Sequence, residues 1–121
     1  MVILDTSVIV DFLLGKHKIV EAVNRYQSFE LATTFVNIYE LLKYKGRTYL
    51  EKPIENLLVY HSSGLSIRES SSAYKMTKVR GKLISDSDLL IFGVAIANGE
   101  TILTQDKDFK NLGSERVVLI E

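Results

Sequence analysis

The sequence predicts an α/β fold, a three-layer α/β/α domain built on a mainly parallel central sheet. Strand-like apolar segments alternate with helix-like segments along the chain, which is typical of parallel sheets with right-handed crossovers. The first segment, Val2–Leu4, is continuously apolar, as in a strand buried on both faces. With 121 residues, 46% of them hydrophobic and 25% charged, the chain has the size and composition of one globular domain, which we expect to span residues 1–121.

The first half of the chain contains clear signals for where helices begin. The opening strand ends at Asp5, Thr6 and Ser7, which are residue types that cap helices. Thr34 is a second candidate cap, and Gly15 is a candidate helix end. The predicted elements of this half are a helix over 8–14, an amphipathic helix over 18–26, a strand over 29–33 and a helix over 35–44 that closes near Gly46.

The second half predicts a buried helix and two further strands. A helix should begin at Pro53 and reach about Leu58, after which the next strand is either 59–60 or 65–67. The other predicted elements are a serine-containing helix ending near Val79 and Gly81, an apolar helix over 86–97, a strand over 101–104, a polar loop over 106–113 and a closing strand over 117–120.

The residue inventory excludes several kinds of chemistry. Cysteine is absent, so there is no disulfide framework, thiol nucleophile or cysteine zinc site. His17 and His61 have no companion ligands nearby in sequence and are predicted to lie at the surface. The longest uncharged apolar run, Leu89–Ala97, is too short to span a bilayer, and no signal peptide is visible. We therefore expect a cytoplasmic protein without a membrane partner.

Charge is unevenly distributed although the net charge is zero. Residues 41–82 contain nine Lys or Arg and three Glu, a local excess of six positive charges over a chain whose ends are acidic. This basic middle is either a positive rim beside a carboxylate cluster, as an enzyme acting on a polyanion requires, or a solvated helical face.

Acidic residues follow or flank the predicted strands at four places. Asp5 directly follows the first strand, Asp106 follows the strand over 101–104, and Glu40 lies in the helix after the second strand. Asp86 and Asp88 lie in the first turn of the apolar helix, where negative charge is favoured. Taken singly, each could be a cap, a turn residue or an exposed helix residue. Parallel strands, however, bring their carboxyl ends to one edge of the sheet.

Such a cluster is costly without a cation. Two carboxylates about 5 Å apart at an effective dielectric constant near 20 repel by roughly 3 kcal/mol. A divalent ion removes this repulsion, and a site with oxygen ligands only favours Mg²⁺ or Mn²⁺.

Rival phosphate-handling folds fit less well. A receiver domain needs a second acidic pair near Asp5 and a lysine after a late strand, and a haloacid-dehalogenase-like phosphatase needs aspartate where Ser7 stands. An RNase H-like nuclease begins with an antiparallel meander, whereas here a helix is predicted directly after Asp5.

Four blocks, in order, resemble the PIN-domain nucleases, and most of all the small VapC-type toxins of prokaryotic toxin-antitoxin pairs. The blocks are Ile3-Leu4-Asp5-Thr6-Ser7, Glu40-Leu41, Asp88-Leu89-Leu90-Ile91 with Ala95, and Leu103-Thr104-Gln105-Asp106-Lys107-Asp108-Phe109. The resemblance covers nearly the whole chain. It departs from the family at Phe92-Gly93, where two alanines are common, and at Gly46, which comes later than usual.

The resemblance implies a PIN-like domain with metal-dependent ribonuclease activity and products that carry a 5′-phosphate and a 3′-hydroxyl. Asp5 and Asp88 would hold the principal Mg²⁺ or Mn²⁺, Asp106 would assist or hold a second ion, and Glu40 would act through water; Glu40 or Asp106 would activate the attacking water. Asp86 and Asp108 are possible substitutes for their neighbours. Hydrogen bonds from Thr6, Ser7 and Thr104 would fix the carboxylates.

The same hypothesis gives the basic middle a use. Arg47, Arg80 and Lys82 are candidates for contacts with RNA phosphates, and Tyr44 or Tyr74 for stacking on unpaired bases. The resemblance also implies a homodimer silenced by a small antitoxin. Apolar residues of the first helices, namely Phe12, Leu13 and Ile19, could form a dimer patch or pack in the core. The alternatives are an inactive PIN-like module that binds RNA or protein, and a housekeeping RNA-processing nuclease.

Overall fold

The computed structural model describes residues 1–26, 30–43 and 57–121, and its centre is a five-stranded sheet. The strands lie in the order β3-β2-β1-β4-β5, and all four neighbouring pairs are parallel. This confirms the predicted α/β class with a parallel sheet. The strands are β1 (Val2–Leu4), β2 (Leu31–Thr34), β3 (Leu58–Tyr60), β4 (Thr101–Thr104) and β5 (Val117–Leu119).

Helices cover both faces of this sheet. Ile3 points into a core formed with the helices Gly64–Val79 and Asp86–Asn98 and the 3₁₀ helix Lys107–Leu112. Val2 and Leu4 point into a second core formed with the helices Thr6–Leu13 and His17–Asn24. This alternation makes β1 apolar throughout. In the described part of the chain, no helix has the length and apolar character needed to cross a membrane. The helices are α1 (Thr6–Leu13), α2 (His17–Asn24), α3 (Phe35–Leu42), α4 (Gly64–Val79), α5 (Asp86–Asn98) and the 3₁₀ helix Lys107–Leu112.

The structure differs from the predictions at the loop over 106–113 and at Leu58, because Phe109 and Leu112 pack in the core and Leu58 pairs with Ala32 of β2. The expected polar loop over 106–113 is largely the 3₁₀ helix, whose Phe109 and Leu112 side chains are buried. Leu58 opens strand β3 instead of closing a helix, which decides between the two alternative strands in favour of 59–60. Residues 65–67 lie in α4 because Ser63 and Ser66 form a capping box at its start. Pro53, Tyr44 and Gly46 lie outside the described residues.

Helices α4 and α5 pack closely at a glycine. A Cβ atom at Gly93 would lie 1.9 Å from Ser70 Oγ and 2.3 Å from the Ser66 carbonyl oxygen, so any side chain there would overlap α4. Ser70 Oγ also hydrogen-bonds to the Ser66 and Leu89 carbonyl oxygens, at 3.0 and 2.8 Å. The departure from the family pattern at Phe92-Gly93 therefore has a packing reason.

Candidate active site

A polar cavity of about 600 Å³ lies at the carboxyl ends of β1 and β4. Acidic side chains reach it from widely separated parts of the chain. The lining residues are Asp5, Thr6, Ser7, Val10, Asp11, Glu40, Asp88, Gln105 and Asp106.

Asp5 is the most enclosed of these carboxylates, with 7% of its surface exposed. It caps α1, and its Oδ1 accepts hydrogen bonds from the Thr6 backbone N–H at 2.9 Å and from Asn37 Nδ2 at 3.1 Å. Its Oδ2 accepts a 2.6 Å hydrogen bond from Thr104 Oγ1. Burial raises the pKa of Asp5 above its ordinary value; the bonds from Thr104 and Thr6 oppose this, and the charges of Glu40 and Asp106 add to it.

Glu40 comes from α3 and is tied to the residue that follows Asp5. Its Oε1 accepts a 2.8 Å hydrogen bond from Thr6 Oγ1. The Thr34 cap predicted from the sequence is present, since Thr34 Oγ1 accepts the Asn37 N–H at the start of α3. Glu40 is thus a partly buried acid on a mainly apolar helix, and its side chain lines the cavity.

Asp88 lies in the first turn of α5, which Ser85 caps by accepting the Asp88 N–H at 3.2 Å. The pKa of Asp88 is raised to about 7, first by burial and then by the negative charges of Asp5 and Asp106. Asp86, in the same turn, is exposed and does not line the cavity.

Asp106 follows β4 after one residue and caps the 3₁₀ helix. Its Oδ1 accepts the Asp108 N–H at 2.9 Å, and its own N–H donates to Thr104 Oγ1 at 3.0 Å. Thr104 therefore connects Asp5 to the backbone of Asp106. Asp108 is exposed and, like Asp86, is not among the lining residues.

Three residues of this region were not identified from the sequence. Asp11 and Gln105 line the cavity and join α1 to the end of β4 through a 2.9 Å hydrogen bond from Gln105 Nε2 to Asp11 Oδ2. Asn37 is completely buried and contacts both Asp5 and Thr6. Asn37 precedes Glu40 by three residues, a spacing that puts both side chains on one face of a helix. This spacing is the sequence signal that points to Asn37 as a residue of the site.

Among the described residues, the candidates for nucleic-acid contacts do not line the acidic cavity. Arg47 and Tyr44 are outside the described residues. Arg80 is the C-cap of α4. Lys78, Lys82 and Tyr74 line a separate cavity of about 290 Å³. Lys78 Nζ lies 5.8 Å from the centre of the Tyr74 ring.

The remaining predicted surface and interface residues divide between surface and core. His17 and His61 are exposed, as expected. Ile19 is buried in the core on the α1–α2 face, and Phe12 and Leu13 pack against the same core, so core packing accounts for this group.

The donors of the acidic cavity fit a hard divalent cation in their chemistry. The described lining residues offer oxygen ligands and no lysine or arginine, and unneutralised charge raises the pKa of Asp88. In this arrangement, no three acidic or histidine side chains among the described residues lie close enough together to hold one ion. Hydrogen bonds instead direct Glu40 to Thr6 and Asp5 to Asn37 and Thr104.

Comparisons with known proteins agree with this architecture. The PIN domain family model matches residues 2–115. No curated protein sequence matches the chain. The fold is similar to that of DNA-bound VapBC from Salmonella typhimurium, with a TM-score of 0.81 and 19% identity over 100% of both chains. It is also similar to VapBC-1 from nontypeable Haemophilus influenzae, with a TM-score of 0.81 and 20% identity over 98% of both chains. FitAcB from Neisseria gonorrhoeae has a TM-score of 0.73 and 20% identity over 100% of this chain and 97% of that chain.

Proposed function

The chain belongs to the PIN-domain family, and from this premise we propose that it is a divalent-metal-dependent ribonuclease and the toxin of a toxin-antitoxin pair. The observation that carries the proposal is the shared cavity of Asp5, Glu40, Asp88 and Asp106, which lie far apart in sequence. A structural role explains each acid alone, as a cap or a surface residue. It does not explain why burial and the charges of neighbouring acids raise the pKa of both Asp5 and Asp88 in one place.

Asp5, Asp88 and Asp106 are the proposed ligands of Mg²⁺ or Mn²⁺. Such an ion, when bound, lowers the pKa of water and neutralises charge on the phosphate. Thr104 fixes Asp5 and the backbone of Asp106, so two of the three ligands share one anchoring hydroxyl. Ser85 holds the first turn of α5, which carries Asp88.

Glu40 is the proposed group that orients and deprotonates the attacking water. Thr6 occupies its Oε1, which leaves Oε2 for the water. The water oxygen attacks phosphorus in line with the leaving 3′ oxygen. The bond from phosphorus to that oxygen breaks, and the oxygen takes up a proton, which leaves a 5′-phosphate and a 3′-hydroxyl.

The single-stranded substrate is proposed to extend from the acidic cavity toward the end of α4. Lys78 and Lys82 would contact its phosphates, and the half-exposed Tyr74 ring would stack on a base. Ile84 lines that second cavity and precedes Asp88 by four residues, so the two sites lie within about 14 Å along the chain. Asn111 Nδ2 fixes the connecting segment through a 3.3 Å hydrogen bond to the Leu83 carbonyl oxygen.

The proposed protein partner is a small antitoxin that covers the cavity. The similar structures include complexes titled toxin-antitoxin and VapBC. In the present chain, the helices that line the cavity also expose Leu14, Tyr39 and Leu42. These side chains give a partner apolar contacts beside the acids. Cytoplasmic location and a homodimer remain proposals of the same kind.

Cleavage of RNA by matched variants tests the activity. We expect the wild-type protein to cleave single-stranded RNA with Mg²⁺ or Mn²⁺ and to stop when the ions are chelated. Asp88→Asn and Asp106→Asn should each lose at least about 100-fold in rate, the scale of a lost catalytic carboxylate. The controls Asp86→Asn and Asp108→Asn change the exposed neighbours by the same chemistry and should cleave like the wild type.

The competing function is RNA binding without cleavage. Full activity of Asp88→Asn and Asp106→Asn, or no cleavage by the wild type with either ion while RNA still binds, would favour the binding module. Equal losses in Asp86→Asn and Asp88→Asn would reject the assignment of the ligand to Asp88.

A further inference from the structure

Asn37 lies at the centre of the hydrogen bonds that hold the acidic cavity. Its side chain is fully buried, although it carries two polar atoms. Its Nδ2 donates to Asp5 Oδ1 at 3.1 Å and to Thr6 Oγ1 at 3.0 Å. Its Oδ1 accepts from Thr34 Oγ1 at 2.7 Å and from the Thr34 N–H at 3.3 Å. Both hydrogens of the amide therefore point to the cavity, and its oxygen serves the cap of α3.

The orientation of this amide is determined by its neighbours. A flipped amide would place its NH₂ group against the Thr34 backbone N–H and its oxygen against the Asp5 carboxylate. Both contacts would be unfavourable, so one orientation satisfies all four partners. Asn37 thus joins α3 to the β1–α1 junction in a defined geometry.

Asn37 also affects the orientation of Glu40, through the Thr6 hydroxyl. Because a hydrogen of Asn37 Nδ2 occupies a lone pair of Thr6 Oγ1, the hydroxyl hydrogen of Thr6 is directed to Glu40 Oε1, at 2.8 Å. The same amide fixes Oδ1 of Asp5. One buried side chain therefore sets the orientation of two acids that approach from different elements.

We propose that Asn37 is a positioning residue of the acidic site, which holds Glu40 through Thr6 and Asp5 directly. This inference rests on the proposed metal-dependent nuclease activity and adds to it a residue on α3 that contacts no substrate. Loss of its NH₂ group removes one of the three hydrogen bonds that orient Asp5 and the bond that directs the Thr6 hydroxyl to Glu40, so that a divalent ion and the attacking water are held less well.

The variant Asn37→Ser distinguishes the capping of α3 by the amide oxygen from the hydrogen bonds that the NH₂ group donates to Asp5 and Thr6. In α4 the equivalent position of the capping box is Ser66, whose Oγ accepts the Ser63 N–H at 2.8 Å. A serine at position 37 can therefore keep the cap of α3, but its hydroxyl is too short to replace both bonds of the Asn37 amide. Ser63→Ala is the matched control, because it removes a cap of the same kind at a residue that does not line the acidic cavity.

We expect Asn37→Ser to lower kcat by about 10- to 100-fold with KM for RNA changed less than about threefold, and to weaken Mn²⁺ binding, measured by calorimetry, by about tenfold. Ser63→Ala should lower the melting temperature and leave kcat and Mn²⁺ affinity unchanged. Combining Asn37→Ser with Thr6→Val should lower kcat by less than the product of the two single losses, because both changes interrupt the path from Asn37 through Thr6 to Glu40, whereas the bond to Asp5 is lost only in Asn37→Ser.

Three outcomes would overturn the inference: unchanged kcat and Mn²⁺ affinity in Asn37→Ser, the same kcat loss in Ser63→Ala, or fully multiplicative losses in the double variant. Calorimetry separates this inference from the proposed function. A wild-type protein that binds Mn²⁺ more tightly than Asn37→Ser without cleaving RNA would reject the nuclease and support the positioning role. A wild-type protein that does not bind Mn²⁺ would reject both.

Discussion

Helix α5 takes part in two regions that use polar groups in opposite ways. At Gly93 it meets α4, where Ser70 donates to carbonyl oxygens and the two helices lie in close contact. At Asp88 it borders the cavity, where neighbouring charges and burial raise the pKa of the carboxyl to about 7. The first region satisfies its polar groups and stabilises the fold. The second retains mutually repelling charges, which a fold alone does not need.

The largest expected effect concerns the packed region. In Gly93→Ala the new Cβ would overlap Ser70 Oγ and the Ser66 backbone, so the helices must separate. We expect a loss of about 3 kcal/mol in the free energy of unfolding, at the upper end for overpacking even though alanine favours the helix. Thermal unfolding should show a fall of about 10 °C in the melting temperature.

Gly64→Ala is the control for this change, because a Cβ at Gly64 meets nothing within 4 Å. It should be neutral or raise the stability by about 0.5 kcal/mol. Equal melting temperatures of Gly93→Ala and the wild type would contradict the close packing of α4 and α5.

The second largest expected effect is a gain in stability, from a change at Asp88. Asp88→Asn removes a repelled carboxylate, so in a chelating buffer at pH 8 we expect the protein to gain about 1 kcal/mol in stability, a figure reduced for the partial solvent exposure of Asp88. Asp86→Asn should change the stability by less than about 0.5 kcal/mol because Asp86 is exposed. Chemical denaturation of both variants measures the difference, and a destabilised Asp88→Asn would show that this acid is structural.

The raised pKa of Asp88 should also make the stability of the protein depend on pH. The folded-state pKa of Asp88, about 7, lies above its ordinary value of 3.8, so the folded protein binds more protons than the unfolded one between these values. Stability without metal should therefore fall as the pH rises from about 4 to 7. Melting curves should show this slope in the wild type and a shallower one in Asp88→Asn. Mg²⁺ should raise the melting temperature more at pH 8 than at pH 5, and an equal increase would contradict a deprotonated ion site.

The sequence predicts the fold wherever a local signal and burial agree. Val2–Leu4 is a strand because it is apolar on both faces, and the predicted cap residues Asp5 and Thr34 begin α1 and α3. The 3₁₀ helix is not predicted by the sequence because most of its residues are polar. The burial of its two core side chains, Phe109 and Leu112, depends on tertiary packing.

The site divides in a similar way. Asp5 and Asp106 could be placed because both follow strands of a parallel sheet, whose ends meet. Asn37 could not be predicted as a site residue, because an amide carries no charge. Its two partners in the site, Asp5 and Thr6, are distant in sequence, and its third partner, Thr34, caps α3. The choice of Asp88 over Asp86 depends on which face of one helical turn points inward, and that is decided by how α5 packs.

The smallest expected effect tests the proposed path of the RNA outside the cavity. Lys82 lines the second cavity, and no ion pair holds it among the described residues, whereas Lys110 is paired with Glu121 at 3.0 Å. In Lys82→Ala we expect RNA affinity, measured with chelator present to prevent cleavage, to fall about two- to threefold. The slope of log Kd against log salt should decrease by about 0.7, the release of one counterion from a single strand. Lys110→Ala removes the same charge at a residue that lines neither the acidic cavity nor the second cavity, and it should bind like the wild type. If both variants lose affinity equally, binding follows the overall charge of the protein and not a path along α4.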